Sequence, residues 1–246
     1  MISAASGMKA RMESLEMLAN NVANSATAGF KSDREFYSLY TSAQALEAQQ
    51  DGLHPSAATL PVIEGRWTDF SQGTLTPTGN PLDLGLYGRG FFVVQSPSGP
   101  LYTRNGNFQI SKDGALVTTE GYPVRRVPDG KAIQMDPSKP VEISKDGMVR
   151  QQGQEIAQIE LADMDSPDSL SKLGSMYFQL SDPKLAAAPS RDLEVRQGTL
   201  ENSNVPPAEA AVRLVSVLRQ FEMLQRAMNM AGDMNRRALE EVARVS

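Results

Sequence analysis

Apolar residues near the start of the chain recur at intervals of three and four, the spacing that gathers side chains into one stripe along a helix. This pattern predicts a helix over residues 4–23, with Ser3 as its N-terminal cap. The turn-forming residues 24–29 then end the helix. The stripe consists of Ala5, Met8, Met12, Leu15, Ala19 and Val22.

The C-terminal part of the chain repeats the pattern with an average step of about 3.5 residues, which predicts a second, longer helix. Pro207 suits its first position because proline lacks the N–H that would be unpaired there, and Pro206 discourages an earlier start. At about 1.5 Å per residue, residues 207–243 extend roughly 55 Å. The second stripe consists of Leu214, Leu218, Phe221, Leu224, Met228, Ala231, Asn235, Ala238 and Val242.

Between the two helical segments, short apolar runs separated by turn residues are typical of β-strands. Examples are residues 90–94, 116–119 and 156–161. The sequence Ile-Ser-Lys-Asp-Gly occurs at 110–114 and again at 143–147. Because Asp-Gly favours the positive φ angles of a tight hairpin turn, two β-hairpins are expected there.

The order of these elements predicts an α+β fold. It has a β-rich central domain, and its N- and C-terminal helices pair as a coiled-coil-like bundle. The expected parts are an N-terminal assembly helix (1–30), a connector (31–65), a β-rich body (66–197) and a C-terminal assembly helix (198–246). Within the connector, residues 34–48 carry a weak helical pattern.

Both terminal helices need a surface to pack against, because a helix of about twenty residues is marginal alone in water. Burying one leucine or methionine side chain contributes on the order of 1.5–3 kcal/mol. Eight of the twelve methionines lie in these segments, and their flexible thioethers tolerate several packing arrangements. The pattern alone leaves two interpretations open: the helices pack on their own β domain, or they meet neighbouring chains.

Composition and charge narrow the class of protein. The 246 residues are 40% hydrophobic and 22% charged, with a mean hydropathy of −0.34, which fits a soluble, foldable chain. The net charge of −5 argues against a nucleic-acid partner, and the lack of cysteine excludes disulfides and thiolate metal sites. No apolar run is long enough to span a bilayer, and the first residues lack a Sec-type signal pattern, so neither membrane insertion nor a cleavable signal is expected.

A helix lying on a membrane surface is also disfavoured. From residue 201 onward the chain carries six acidic and six basic residues, so it lacks the basic excess that attracts anionic lipid headgroups.

Candidate catalytic and metal-binding residues are few. His54 is the only histidine and is expected to be an ordinary loop residue. Asp163, Asp165 and Asp168 resemble a calcium loop only crudely, because the required glycine and glutamate are missing from its sixth and twelfth positions. The glycine-rich residues 85–90 precede an expected strand, so turn glycines fit better than a dinucleotide site.

No cofactor, metal or catalytic residue is therefore expected. A pair of carboxylates of the glycosidase type has no fixed spacing in sequence and stays open. So does a self-contained β-domain that works as a binding module.

Longer motifs follow one another in a fixed order along most of the chain. They are Ser-Gly-Met at 6–8, Ala-Asn-Asn-Val-Ala-Asn at 19–24, Gly-Phe-Lys at 29–31, Gly-Asn-Pro-Leu-Asp-Leu at 79–84, Gly-Arg-Gly-Phe-Phe-Val-Val at 88–94, Tyr-Thr-Arg-Asn-Gly-Asn-Phe at 102–108, Gly-Tyr-Pro-Val at 121–124, Gly-Thr-Leu-Glu-Asn-Ser-Asn-Val at 198–205 and Arg-Gln-Phe-Glu-Met at 219–223. In this combination the chain resembles the bacterial flagellar rod and hook proteins. The motif residues singled out by the resemblance are Asn20, Asn21, Asn24, Gly29, Phe30, Gly90, Phe91 and Asn204.

The resemblance implies a structural subunit, without catalytic function, of the periplasm-spanning rod in the flagellar basal body, where it transmits torque. Its partners would be copies of itself and other flagellar rod and hook proteins. It would reach the rod through the flagellar type III export apparatus without a cleavable signal peptide. Its length and residues 219–223 look most like a proximal-rod member of the family, with a distal-rod or hook-type member as the alternative.

In the relatives, the resemblance further implies, the terminal helices form an inner tube and the β domain lies outside it. The assembly interface would then place residues of the first helix against the second helix of the same or an adjacent chain. These residues are Met8, Met12, Leu15, Ala19 and Val22 in the first helix and Leu214, Leu218, Phe221, Leu224 and Met228 in the second. Asn20, Asn21 and Asn24 are expected to end the helix and bond backbone groups, with fixing the bend to the connector as the alternative role.

Overall fold

The computed structural model describes residues 2–41, 59–164, 169–181, 188–189 and 193–245. Helix α1 covers Ile2–Ala23 and helix α2 covers Pro207–Val245. The strands are β1 (Asp33–Thr41), β2 (Thr59–Thr68), β3 (Leu75–Pro77), β4 (Leu84–Tyr87), β5 (Phe91–Ser96), β6 (Gly99–Thr103), β7 (Phe108–Ile110), β8 (Leu116–Thr118), β9 (Arg126–Val127), β10 (Val141–Ile143), β11 (Met148–Gln151), β12 (Gln154–Ile159), β13 (Leu161–Asp163), β14 (Leu170–Leu173), β15 (Tyr177–Leu180), β16 (Ala188–Pro189), β17 (Glu194–Gln197) and β18 (Thr199–Glu201). The expected α+β class, β-rich with a helix toward each end, is confirmed.

Both helices lie where the sequence pattern places them. Helix α1 begins at Ile2, two residues before the expected Ala4, so the prediction of Ser3 as its N-terminal cap is wrong because Ser3 lies within the helix. Helix α1 ends at Ala23 and α2 begins at Pro207, both as expected. The turn after α1 is closed by a hydrogen bond from the Thr27 N–H to the Asn24 carbonyl, 3.1 Å long. The local signals were therefore sufficient for the end of α1 and the start of α2.

The first compact unit of the chain consists of Asn24–Ser32 and Thr68–Pro206. Its largest sheets are antiparallel: six strands in the order β14-β15-β6-β5-β13-β16 and four in the order β10-β11-β12-β9. Two apolar clusters form its core. In one, Phe92 and Phe108 meet edge to face at 5.1 Å, and in the other Phe70, Phe91 and Phe178 pack as a trio of rings.

Both expected hairpins form in this unit, between β7 and β8 and between β10 and β11. Their turns are built alike. The N–H of Gly114 donates to the Ser111 carbonyl, the N–H of Gly147 donates to the Ser144 carbonyl, and each bond is 2.9 Å long. Only the glycine of each Asp-Gly pair takes a positive φ, +79° at Gly114 and +83° at Gly147, so both turns rely on the conformational freedom of glycine.

The second compact unit consists of Met1–Ala23, Asp33–Trp67 and Pro207–Ser246. It contains α1, α2 and a two-stranded sheet of β1 and β2. The weak helical pattern over residues 34–48 predicted a helix that is wrong for residues 34–41, because these residues belong to β1. Pairing with β2 outweighs a weak local preference. Residues 42–48, like His54, Asp165 and Asp168, lie outside the described residues.

Candidate assembly interface

In the helical unit, α1 packs against α2 through a small apolar cluster. Met17, Leu18 and Val217 are buried, and Leu15 and Leu214 pack beside them. The later part of α1 thus meets the early part of α2. Of this cluster, the sequence stripes contain Leu15 and Leu214 but not the three buried residues.

One side of α1 is occupied by the β1–β2 sheet, which explains why the buried face is shifted from the expected stripe. The buried Ser14 hydroxyl donates to a carboxylate oxygen of Glu35 at 2.5 Å. The buried Asn21 amide bonds the backbone of Asp33 twice: its Nδ2 donates to the Asp33 carbonyl at 2.8 Å, and its Oδ1 accepts from the Asp33 N–H at 3.0 Å. These polar contacts turn the face holding Ser14, Met17, Leu18 and Asn21 inward.

The expected interface residues of α1 therefore border its packed face or point away from it. Met8, Leu15 and Val22 are partly buried, Ala19 is exposed, and Met12 is 50% exposed. Each of the three motif asparagines has a hydrogen bond or another interaction. Asn21 holds the start of β1, while the Asn24 carbonyl belongs to the turn that follows α1.

Helix α2 carries one apolar face toward α1. Ala210 and Val217 are buried on it, and four of the expected interface residues are partly buried: Leu214, Phe221, Leu224 and Met228. Leu218, at the edge of this face, is exposed.

A second apolar face of α2 was missed by the sequence reasoning. At 100° per residue, Val212, Met223 and Met230 lie roughly opposite Leu214 and Phe221. All three are exposed, as are Val215 and Met234, and the groove beside Val212 and Met223 also includes Ser216 and Arg219. The spacing 212, 216, 219, 223, 230, 234 is a helical stripe as well, but its serine and arginine obscure the apolar signal. We call this the outer face of α2.

In the β-rich unit, three charged side chains form a buried ionic joint. Lys31, Arg104 and Glu201 are 0%, 3% and 1% exposed. The Lys31 ammonium donates to Glu201 Oε1 at 2.6 Å, and Arg104 Nη1 donates to Oε2 at 3.1 Å. We call these three residues the Glu201 joint.

Backbone groups complete the joint. Lys31 Nζ also donates to the Ser71 carbonyl at 2.7 Å, Arg104 Nη2 donates to the Gly88 carbonyl at 2.6 Å, and the Gly73 N–H donates to Glu201 Oε1 at 2.8 Å. Removal from water lowers the pKa of Lys31 and of Arg104, although the Glu201 carboxylate opposes this effect at both. Charges buried this deeply are tolerated only when they are paired and hydrogen-bonded.

Several motif residues surround the joint. Gly29 has φ +69°, and a Cβ there would lie 2.3 Å from the Asn105 nitrogen, so only glycine fits. The Gly29 N–H donates to the Glu201 carbonyl at 2.7 Å. The neighbouring Phe30 is fully buried, and the Lys172 ammonium lies 4.1 Å from the centre of its ring.

Asn204 ties the C-terminal motif to two other segments of the same unit. Its Oδ1 accepts from the Ser32 N–H at 2.8 Å, and its Nδ2 donates to the Asp69 carbonyl at 2.7 Å. The remaining motif residues, Gly90 and Phe91, are buried: Gly90 has φ +138°, and the Arg104 guanidinium lies 5.6 Å from the ring centre of Phe91. Motifs from the beginning, middle and end of the sequence thus converge on the joint.

Clustered metal ligands are absent from the described part of the chain. No group of three His, Cys, Asp or Glu side chains there is arranged to hold a metal ion. Of the expected turn glycines at 85–90, Gly88 and Gly90 have positive φ angles, whereas Gly85 lies within β4. Among the described helices, none combines the length and hydropathy needed to cross a bilayer.

Comparison with known proteins identifies relatives along most of the chain. Three family models match: "Flagella basal body rod protein" over residues 1–31, "Flagellar hook protein FlgE/F/G D1 domain" over 86–151 and "Flagellar basal body rod FlgEFG protein C-terminal" over 196–241. The flagellar basal-body rod protein FlgF of Caulobacter vibrioides is 33% identical, over 94% of this chain and 93% of its own. FlgG of the same organism is 32% identical over 94% of both chains, and FlgF of Rhizobium meliloti is 32% identical over 89% and 87%.

Proposed function

The chain belongs to the flagellar basal-body rod family of the FlgF and FlgG type and is a structural rod subunit, and from this premise we propose that it polymerises through two faces of its C-terminal helix. The family consists of structural proteins, so the expectation that the chain is not an enzyme is confirmed. Assembly with other rod and hook proteins and a place in the basal body follow from the same membership.

The observation that carries the proposal is the part of α2 that extends beyond α1. At about 1.5 Å per residue, the 39 residues of α2 measure about 58 Å and the 22 residues of α1 about 33 Å. Because α2 begins near the end of α1, roughly its last 25 Å has no α1 beside it. The side chains of residues 229–234, 236 and 237 are all exposed there, including Met230, Ala231 and Met234.

The outer face of α2 adds a second unsatisfied surface along the part that α1 does cover. Exposed apolar side chains on opposite sides of one helix favour burial between two neighbours. We propose that these neighbours are helices of adjacent subunits, and that the exposed Met12 and Ala19 of α1 belong to the same interface. Such contacts join different surfaces of successive copies, so they need not close into a ring and can build an open helical polymer.

Within one subunit, we propose that α1 and α2 pair as a coiled-coil-like bundle, supported by the cluster of Met17, Leu18 and Val217. The assembly segments proposed are residues 1–30 and 198–246, flanking a connector (31–65) and a β-rich body (66–197). Torque would pass from copy to copy through the packed helices.

We propose further that the chain is a subunit of the periplasm-spanning rod and is delivered by the flagellar export apparatus without a cleavable signal. A chain without cysteine has no disulfide to undo before passing through a narrow channel. Between a proximal-rod and a distal-rod protein we favour the proximal one, because the length of the chain and residues 219–223 look most like that type. Rescue of an flgF deletion, but not of an flgG deletion, would be the expected result.

The interface is tested by placing charges on the outer face. The double variant Met223→Asp/Met230→Asp should abolish motility and rod completion, because each carboxylate would be buried in the polymer without a partner. The purified variant should keep the circular dichroism of the wild-type monomer, since both side chains are exposed in it.

The matched control is Arg213→Asp, which changes the net charge by the same two units at an exposed polar position of the same helix, in the part that α1 covers and away from the outer face. These cells should swim. Normal swimming by the Met223→Asp/Met230→Asp strain would show that the outer face is not an assembly surface.

A further inference from the structure

Glu201 is contacted from two distant parts of the sequence, residues 29–31 and Arg104, all within the β-rich unit. Its Oε1 accepts from Lys31, in the segment that follows α1, and its Oε2 accepts from Arg104, just after β6. The backbone of the same residue accepts from Gly29. One residue thus holds the segment that follows α1, the segment that precedes α2 and the middle of the chain.

We infer that Glu201 is a positioning residue that couples these two flanking segments, residues 24–32 and 198–205, so that release of either one from the β-rich unit promotes release of the other. The coupling is independent of polymerisation and goes beyond the proposed function. Within the single subunit, the Glu201 joint would hold residues 24–32 and residues 198–205 in fixed positions on the β-rich unit.

The physical reason is the cost of leaving a buried charge unpaired. If residues 198–205 left alone, Lys31 and Arg104 would remain buried without their carboxylate. If residues 24–32 left alone, Glu201 would keep Arg104 and the Gly73 N–H but lose the Lys31 ammonium, and the Glu201 carbonyl would lose the Gly29 N–H. Each single release thus removes bonds that hold the other segment, so releasing both segments together costs less than the sum of the two separate releases.

Further hydrogen bonds to backbone groups reinforce the coupling in the same place. The Asn204 amide joins Ser32 to Asp69, and the Asn204 N–H donates to the Phe30 carbonyl at 3.4 Å. On the side of the N-terminal segment, the Lys172 ammonium donates to the Lys31 carbonyl at 2.7 Å. The flanking segments therefore bond each other directly as well as through the carboxylate.

Hydrogen exchange with mass spectrometry on the full-length monomer tests the coupling. In Glu201→Gln, peptides covering 24–32 and 198–205 should both exchange faster, by the same factor on the order of 100-fold, because the uncharged amide leaves two buried cations without a counter-charge. The sheet of β9 to β12 should keep its wild-type rates. The control Glu194→Gln, on the neighbouring strand β17 with a half-exposed side chain, should change neither segment.

Acceleration of 198–205 alone, with 24–32 at its wild-type rate, would overturn the inference, and so would unchanged rates in both. If Glu201→Gln does not fold, the triple variant Lys31→Met/Arg104→Met/Glu201→Met decides. Removing all three charges leaves no unpaired ion, so this variant should fold with both segments protected. An unfolded triple variant would show that unpaired charge is not what couples the segments. None of these outcomes requires a polymer, so failure here leaves the assembly proposal standing.

Discussion

In the β-rich unit even a lysine is completely buried, whereas in the helical unit Met230 and Met234 are 62% and 71% exposed. The first unit closes an apolar core around rings such as Phe92 and Phe178 and pairs the charges that it buries. The second leaves apolar side chains in water along most of α2. The contrast teaches that one unit buries its apolar side chains within the single chain, while the other leaves them for the neighbouring subunits that we propose.

The largest expected effect comes from comparing one apolar truncation in each unit. Phe92→Ala removes a fully buried ring and should lower the free energy of unfolding by about 3–5 kcal/mol. Met230→Ala removes an exposed side chain and should change the stability of the monomer by less than about 0.5 kcal/mol, while impairing motility. Urea unfolding of the purified chains, followed by circular dichroism, measures both. A loss above about 2 kcal/mol in Met230→Ala would mean that α2 is already packed there in the monomer.

A second comparison separates backbone conformation from close packing at the Glu201 joint. Gly29 and Gly79 have similar φ angles, +69° and +76°, but a Cβ at Gly29 would collide with backbone atoms of Arg104 and Asn105, whereas one at Gly79 has nothing within 4 Å. Gly79→Ala should cost about 1 kcal/mol for conformation alone. Gly29→Ala should cost about 3 kcal/mol, since overpacking is added to that penalty.

Urea midpoints of the two variants, measured side by side, check this difference. Equal losses of stability in the two variants would mean that the backbone around Gly29 shifts easily to admit a Cβ. The β-rich unit would then be packed less tightly than the contrast with the helical unit requires.

The smallest expected effect is the alkaline response of the β-rich unit. Burial of Tyr177, aided by its hydrogen bond to the Glu120 carboxylate, raises the pKa of the phenol. Stability from a group whose pKa is raised on folding is fully present below the unfolded pKa, about 10 for tyrosine, and is lost as pH rises above it.

Between pH 9 and 10.5 the wild type should therefore lose about 0.8 kcal/mol more than Tyr177→Phe. Urea unfolding of both proteins across this range measures the difference. Parallel curves would show that Tyr177 ionises as freely in the folded chain as in the unfolded one.

The end of α1 and the start of α2 were predictable because their signals are local. Pro207 fixes the start of α2, and a run of turn residues ends α1 after Ala23. The two hairpins were predictable for the same reason, since each depends on a glycine within a five-residue motif. Strand β1 was not, because its backbone bonds Asn21 and pairs with β2, contacts that a weak local preference does not reveal.

The packed faces of the helices were only partly predictable. A repeat of three and four identifies a stripe but not what covers it, and the β1–β2 sheet claims the side of α1 that carries Ser14 and Asn21. The Glu201 joint left no signal in charge or periodicity, because charged residues are ordinarily at the surface. Arg104 and Lys31 lie 97 and 170 positions before Glu201 in the sequence. Only the motif resemblance marked that neighbourhood, through Gly29, Phe30 and Asn204.

The burial of the Glu201 joint also decides how the molecule responds to dissolved salt. Mobile ions weaken attraction between charges that face water, such as Lys9 and Glu13 on α1, but they act far less on charges sealed inside the protein. Raising the ionic strength should therefore change the attraction or repulsion between helices in the proposed polymer. The strength with which the Glu201 joint holds the two helix-flanking segments should stay the same from low to high salt concentration.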